Sequence, residues 1–209
     1  MNKNECVRSV IAGICIGIAA TVYLKVGGLA GSILFAFGLI AVVSLQLLLF
    51  TGVSYMIWRK GYPRLAGILL LNLLGCLLVA SVTSTPELTE SAESIITKRL
   101  SLGPLKCGLL AIGCGFIMTT AVSQAKLTPR NWWPLLFGVP VFIQCGFPHC
   151  IADAFYLEAC SPGYLADNIN DIILFYISIV IGNYAGCNLC RLYGRVDHNG
   201  VIHPIVNIG

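Results

Sequence analysis

Three features of the 209-residue chain have the residue types for chemistry. His149 is followed four residues later by Asp153, one turn along the same face if the segment is helical, so the carboxylate could orient the imidazole. Histidine is the side chain whose charge changes near neutral pH, so such a pair suits hydrogen-bond donation or proton transfer. Cys187-x-x-Cys190 has metal or redox spacing, but no second pair accompanies it and its surroundings are apolar. The third feature is a pair of helix-breaking segments, Leu49-Phe50-Thr51-Gly52 and Gly146-Phe147-Pro148-His149. Glycine relaxes the backbone and proline removes a donor, so Gly52, Gly146 and Pro148 are the expected break residues. Plainer readings stand beside these: a buried histidine bonded to a carbonyl, and kinks that only help helices pack. Haem ligation lacks a second histidine, because His198 and His203 lie in the polar tail.

The elements that must carry these residues follow from composition. Hydrophobic residues make up 57% of the chain and charged residues 11%, against roughly 25% charged in soluble domains. That excludes an ordinary water-soluble enzyme, and nothing resembles a nucleic-acid-binding patch. Charge-free runs cover residues 9–24, 26–58, 65–86, 107–125, 131–152 and 172–190. A helix needs about 20 apolar residues to cross a bilayer, so these read as six spans. The first is not read as a secretory signal, since a second run follows almost at once without a small-x-small cleavage site. With a cytoplasmic N-terminus, Lys3, Arg8, Arg59, Lys60, Arg64, Lys126, Arg130, Arg191 and Arg195 fall inside, against Lys25, Lys98, Arg99 and Lys106 outside. This bias favours both termini in the cytoplasm, and the expected location is the inner (plasma) membrane. Of the ten cysteines, eight sit singly in apolar runs and read as packing residues.

The runs fall into two sets of three. The expected fold is all-α: six transmembrane helices in two inverted three-helix repeats, with the second and fifth helices broken, in an aquaporin-like layout. Repeat one spans about 7–83 and repeat two about 104–193, within a single transmembrane domain covering 1–209. The expected helices end at about Tyr23, run from about Arg64 to Val82, from about Pro104 to Ser123, and from about Asp171 to Tyr193. Residues 84–101 read as an exposed loop with a short helix, and 194–209 as a cytoplasmic appendage. Paired breaks in corresponding spans leave backbone groups tolerated only against protein or an aqueous cavity, which points to a pore.

At these residues the chain resembles the formate/nitrite transporter family of pentameric anion channels. The segment from Gly146 to Phe155, Gly-Phe-Pro-His-Cys-Ile-Ala-Asp-Ala-Phe, resembles the family's Gly-Phe-Glu-His-Ser-x-Ala-Asn-Met-Phe signature. Leu49-Phe50-Thr51 resembles its Leu-Phe-Thr loop, and Asn72-x-x-Gly75 and Gly182-Asn183-x-x-Gly186 are weaker matches. The resemblance implies a homopentamer with a pore in each protomer, His149 and Thr51 facing each other at its centre, Leu49 and Phe50 at the cytoplasmic constriction, and Phe35 and Phe142 at the outer one. Lys98 is the candidate for a family lysine that attracts anions. The partners implied are small monovalent anions or weak acids and the bilayer, with no nucleic acid, no metal and no cofactor. The departures are Pro148 for glutamate, Cys150 for serine, Asp153 for asparagine, and Leu48 and Ile112 where the family has polar residues.

A bare anion in an apolar slit loses hydration worth tens of kcal/mol in the Born limit, so something must compensate it. Basic groups at the mouths (Lys98 outside, Arg59 or Lys60 inside) would concentrate weak-acid anions, and His149 would donate a hydrogen bond or a proton at the centre. The function expected is therefore transport, not enzymatic catalysis: passage of small monovalent weak-acid anions such as formate or nitrite, proton-coupled in acid. Two alternatives are a channel for small neutral solutes or hydrosulfide, although the paired Asn-Pro-Ala signatures of aquaporins are absent, and a non-conducting membrane subunit.

Overall fold

A computed structural model describes residues 1–57, 61–127 and 131–205. Arg59, Lys60 and Arg130, counted above for orientation, lie outside the described residues. The first helix, α1 (Lys3–Val26), starts at a reciprocal cap: Asn2 Oδ1 accepts from the Glu5 amide at 2.9 Å and Glu5 Oε2 from the Asn2 amide at 3.1 Å. It runs a turn beyond the expected Tyr23 and stops at Gly27 and Gly28, whose φ values of 66° and 54° would strain any other residue. Then come α2 (Gly28–Ser44), the four-residue α3 (Phe50–Val53) and α4 (Tyr62–Thr83). The second half has α6 (Pro104–Leu127), α7 (Trp133–Gln144), α8 (Cys150–Ala159), the short α9 (Pro162–Asp167) and α10 (Ile169–Asn188), which continues as a 3-10 turn, Leu189–Leu192.

Among the described residues, four helices are long and apolar enough to cross a membrane: Lys3–Val26, Tyr62–Thr83, Pro104–Leu127 and Ile169–Leu192. The apolar α2 and α7 are shorter. Leu70, Phe137, Ile181 and Val82 are 62–81% exposed on the outer faces of these helices. Patches of this kind are avoided by soluble monomers, whereas lipid tails cover them at no cost.

Small residues let the long helices pair closely. A Cβ added to Gly75 of α4 would fall 2.2 Å from Val10 O of α1, and one on Gly186 of α10 would fall 2.0 Å from Ile112 O of α6. The Asn-x-x-Gly motifs in the two halves thus serve the same backbone-to-backbone packing, α1 on α4 and α6 on α10. The short helices cross between halves: α8 packs on α4 of the first half, and α3 on α6 of the second.

Two segments depart from the sequence expectation. Residues expected as an exposed loop form a full helix, α5 (Pro86–Leu102), with Thr85 as N-cap and Pro86 in the first turn. Its polar composition hid a stripe at helical spacing, Leu88, Ala92 and Ile96, that is buried and holds it against α8. The tail expected as an appendage is a hairpin, β1 (Gly194–Val196) antiparallel to β2 (Ile202–Pro204), with Arg195 opposite His203. It is anchored to the body, because Tyr55 Oη donates to Gly200 O at 2.7 Å and the Ile202 amide to Ser123 Oγ at 2.9 Å.

Candidate functional site

Both short apolar helices end in the same backbone figure. After α2, the amides of Leu45, Gln46 and Leu47 donate to Ala41 O, Val43 O and Val42 O; after α7, those of Cys145, Gly146 and Phe147 donate to Val141 O, Ile143 O and Phe142 O. Gln46 and Gly146 both take left-handed backbone, at φ 53° and 69°. The chain then runs extended through Leu49 (φ −95°, ψ 134°) or His149 (φ −117°, ψ 114°) into α3 or α8.

One asparagine brackets each break. The Asn72 amide donates to Leu48 O and Ser9 O while its Oδ1 accepts from the Phe50 amide, all at 2.8–2.9 Å. Asn183 does the same in the other half, donating to Pro148 O and Ala111 O and accepting from the Cys150 amide at 2.8–3.0 Å. A fully buried side chain with two donors and one acceptor thereby satisfies the groups that a broken helix leaves unpaired. The carbonyl between turn and bracket also has a cation in each half: Arg8 donates to Gln46 O and Arg99 to Gly146 O.

These bonds correct the expected pairing. Leu49 corresponds to His149 and Gln46 to Gly146, so the two tetrapeptides chosen from sequence are out of step by three residues. Gly146 and Pro148 lie between the end of α7 at Gln144 and the start of α8 at Cys150. Gly52 does not lie in the first break, because it sits within α3. Left-handed Gln46 and the Asn72 bracket make that break, and neither carries the glycine or proline signal.

The breaks bring Thr51 and His149 together. The His149 Nε2 lies 2.9 Å from Thr51 Oγ1, and both residues are buried. His149 is also the N-cap of α8, its Nδ1 accepting from the Ala152 amide at 3.2 Å. Since Nδ1 must be the acceptor there, the proton of the neutral ring is assigned to Nε2, which donates to Thr51. The ring stacks on Phe142 at 5.7 Å, and Phe142 meets Phe35 edge-to-face at 6.4 Å. The Asp153 carboxylate is bonded elsewhere than to the imidazole. Its Oδ2 accepts from the His149 backbone amide at 2.8 Å and its Oδ1 pairs with Arg99 Nε at 3.3 Å.

Two cavities approach this contact from opposite ends. An upper one of about 210 Å³ is lined by Tyr23, Lys98, Arg99, Phe142, His149 and Asp153, among others. A lower one of about 630 Å³ is lined by Arg8, Leu48, Gly52, Met56 and Lys126, among others. Arg8 and Tyr23 stand at opposite ends of α1, on the order of 20 Å apart at 1.5 Å per residue. Leu49, the N-cap of α3, and Phe50, its first residue, are both buried. Sequence reading missed Arg99, the Arg8 contact and the bracketing role of Asn72 and Asn183. For the asparagines the signal was present, one Asn-x-x-Gly in each half, whereas nothing in the sequence distinguishes Arg99 from Lys98 beside it.

The fold has close structural relatives. A pentameric formate channel with formate bound superposes with a TM-score of 0.74 at 22% identity, covering 89% of this chain and 92% of that one. An FNT family ion channel superposes at 0.76 and 18% identity, covering 88% and 86%. A comparison with curated protein sequences finds no match. The profile described as formate/nitrite transporter matches residues 2–193, nearly the whole chain. The chain is therefore an integral membrane protein of the formate/nitrite transporter family.

Proposed function

We propose that each protomer carries small monovalent weak-acid anions, such as formate or nitrite, through a passage centred on Thr51 and His149. The observation that carries this reading is the 2.9 Å contact between a histidine at one helix break and a threonine beside the other, with a cavity on either side. Six spans are formed by α1, α2 with α3, α4, α6, α7 with α8, and α10, in one domain covering 1–209. The repeats, about 7–83 and 104–193, are read as inverted, because α1 and α6 hold equivalent places in the two halves yet the start of α1 and the end of α6 line the same lower cavity. That end faces the cytoplasm of the inner membrane, by the excess of Lys and Arg there. The solved formate channel is pentameric, and a homopentamer would cover part of the apolar surface described above.

An anion collects in the upper cavity under the field of Lys98, with the Arg99–Asp153 pair supporting Gly146 rather than adding net charge. It then meets the Phe35–Phe142 pair. Beyond it, the Nε2–H of His149 turns from Thr51 to the anion, and the freed Thr51 hydroxyl gives a second donor. Charge-assisted bonds of this kind are about twice as strong as neutral ones and offset part of the lost hydration. The Leu49–Phe50 level favours a species whose charge has been neutralised. Proton donation requires an imidazolium with a proton on Nδ1, and the Ala152 amide faces that nitrogen. Protonation therefore breaks the α8 cap, and proton coupling is linked to loosening of the first turn of α8.

Proteoliposomes assayed by stopped flow in formate, nitrite, acetate, hydrosulfide and glycerol test this. Formate or nitrite entry at least tenfold above empty liposomes is expected, lost with its pH dependence in His149→Ala. Swelling in glycerol alone would instead favour the neutral-solute channel, and no swelling in any solute the non-conducting subunit.

A further inference from the structure

The lower cavity contains a cation that the passage described above does not use. Lys126, in the last turn of α6, is half-buried and lines the cavity. Among the described residues its Nζ has one acceptor, the thioether Met56 Sδ at 3.8 Å, and it stands 6.0 Å from the Tyr55 ring centroid. An ammonium has three donors and no acceptor capacity, so a thioether leaves it largely unsatisfied. The residues lining this cavity include no Asp or Glu. Arg8, the other permanently charged lining residue, is engaged with Gln46 O. Asp197 acts on Lys126 electrostatically from the tail but is bound within its own turn: Oδ1 accepts from the Asn199 and Val201 amides, and Oδ2 pairs with His203.

The C-terminal hairpin passes close beside this ammonium. Gly200 is buried at φ 80°, and a Cβ there would fall 2.7 Å from Tyr55 Oη and 2.8 Å from Lys126 Nζ. The turn is fastened on two sides, through Gly200 O to Tyr55 and through the Ile202 amide to Ser123, one turn before Lys126 on α6. The next residues back along the turn, His198 and Asn199, line the cavity as well. The hairpin therefore walls the lower mouth and limits the directions in which the ammonium can find an acceptor.

We propose that Lys126, held by the C-terminal hairpin, is an anion-binding residue of the lower cavity that receives small monovalent anions on the far side of Leu49 and Phe50. The proposal rests on the passage proposed above, and its test separates the two. Formate flux is measured in proteoliposomes of the full chain and of Lys126→Met, Lys126→Arg and Gly200→Val, at low and high ionic strength. Lys126→Met is expected to lose about fivefold at ~20 mM salt and less than about twofold at ~0.5 M, because screening removes what the charge contributed. Lys126→Arg should stay near wild type. Gly200→Val displaces the hairpin without removing a charge and should show the same salt-dependent loss, so it carries the comparison if Lys126→Met does not assemble. Flux equal to wild type, or a loss independent of salt, overturns the proposal while leaving the passage intact. A wild type that carries no anion overturns both.

Discussion

Asn183 makes three bonds in a fully buried setting, and removing it leaves the Cys150 amide and the Pro148 and Ala111 carbonyls unpaired. Each buried group left without a partner costs about 1–3 kcal/mol, so Asn183→Leu should destabilise by about 3 kcal/mol or more, read as a lower unfolding midpoint in detergent. Asn72→Leu should do the same, because Asn72 holds the equivalent three groups. At the turn before the bracket, Gly146→Ala places a side chain at φ 69° and should cost about 1 kcal/mol. At this scale the sequence was legible where a residue type is rare in membranes. His149 stood out because an ionisable side chain at that depth is costly, whereas the two asparagines showed only as members of the Asn-x-x-Gly motifs. Gln46 did not stand out, because its left-handed backbone is imposed by the bonds of its neighbours and a glutamine carries no turn signal.

Among elements, α5 illustrates how polar composition conceals structure. Its buried stripe is narrow, and its functional weight rests on one side chain, Arg99, which ties α5 to both α8 and the Gly146 turn. Arg99→Met would leave the Asp153 carboxylate, 1% exposed, without its counter-charge. Stranding a buried charge of this kind costs about 3–5 kcal/mol, and Arg99→Met combined with Asp153→Leu should recover most of it, measured as a double-mutant cycle on the unfolding midpoint. The tail hairpin was illegible for a different reason: its anchors, Tyr55 and Ser123, are distant in sequence. Its turn responds to acid. Backbone amides and the His203 partner hold the Asp197 carboxyl down at about 2. A lowered value means that the contribution is complete above about pH 4, the unfolded carboxyl range, and disappears as pH falls through about 2. Exchange protection of the Val201 amide, corrected for intrinsic rate, should fall across that window and be absent throughout in Asp197→Ala.

For the whole molecule, the six apolar runs made the membrane class legible, since hydropathy over 20 residues outweighs local ambiguity. The register between the halves was not, because it is written in backbone bonds. If five copies of the 22.4 kDa chain associate, light scattering corrected for detergent should give a protein mass of about 112 kDa. A monomer mass would remove the pentamer and leave the passage within each protomer untouched. The crossing of the short helices bears on how such a chain is made. The seat of α3 is α6, which lies on the far side of α5 in the sequence, and α8 needs α4, already synthesised. While the ribosome is still translating α5, the Thr51 stub therefore has α4 beside it but lacks its α6 seat, and the nascent first half must be sheltered until its complement inserts.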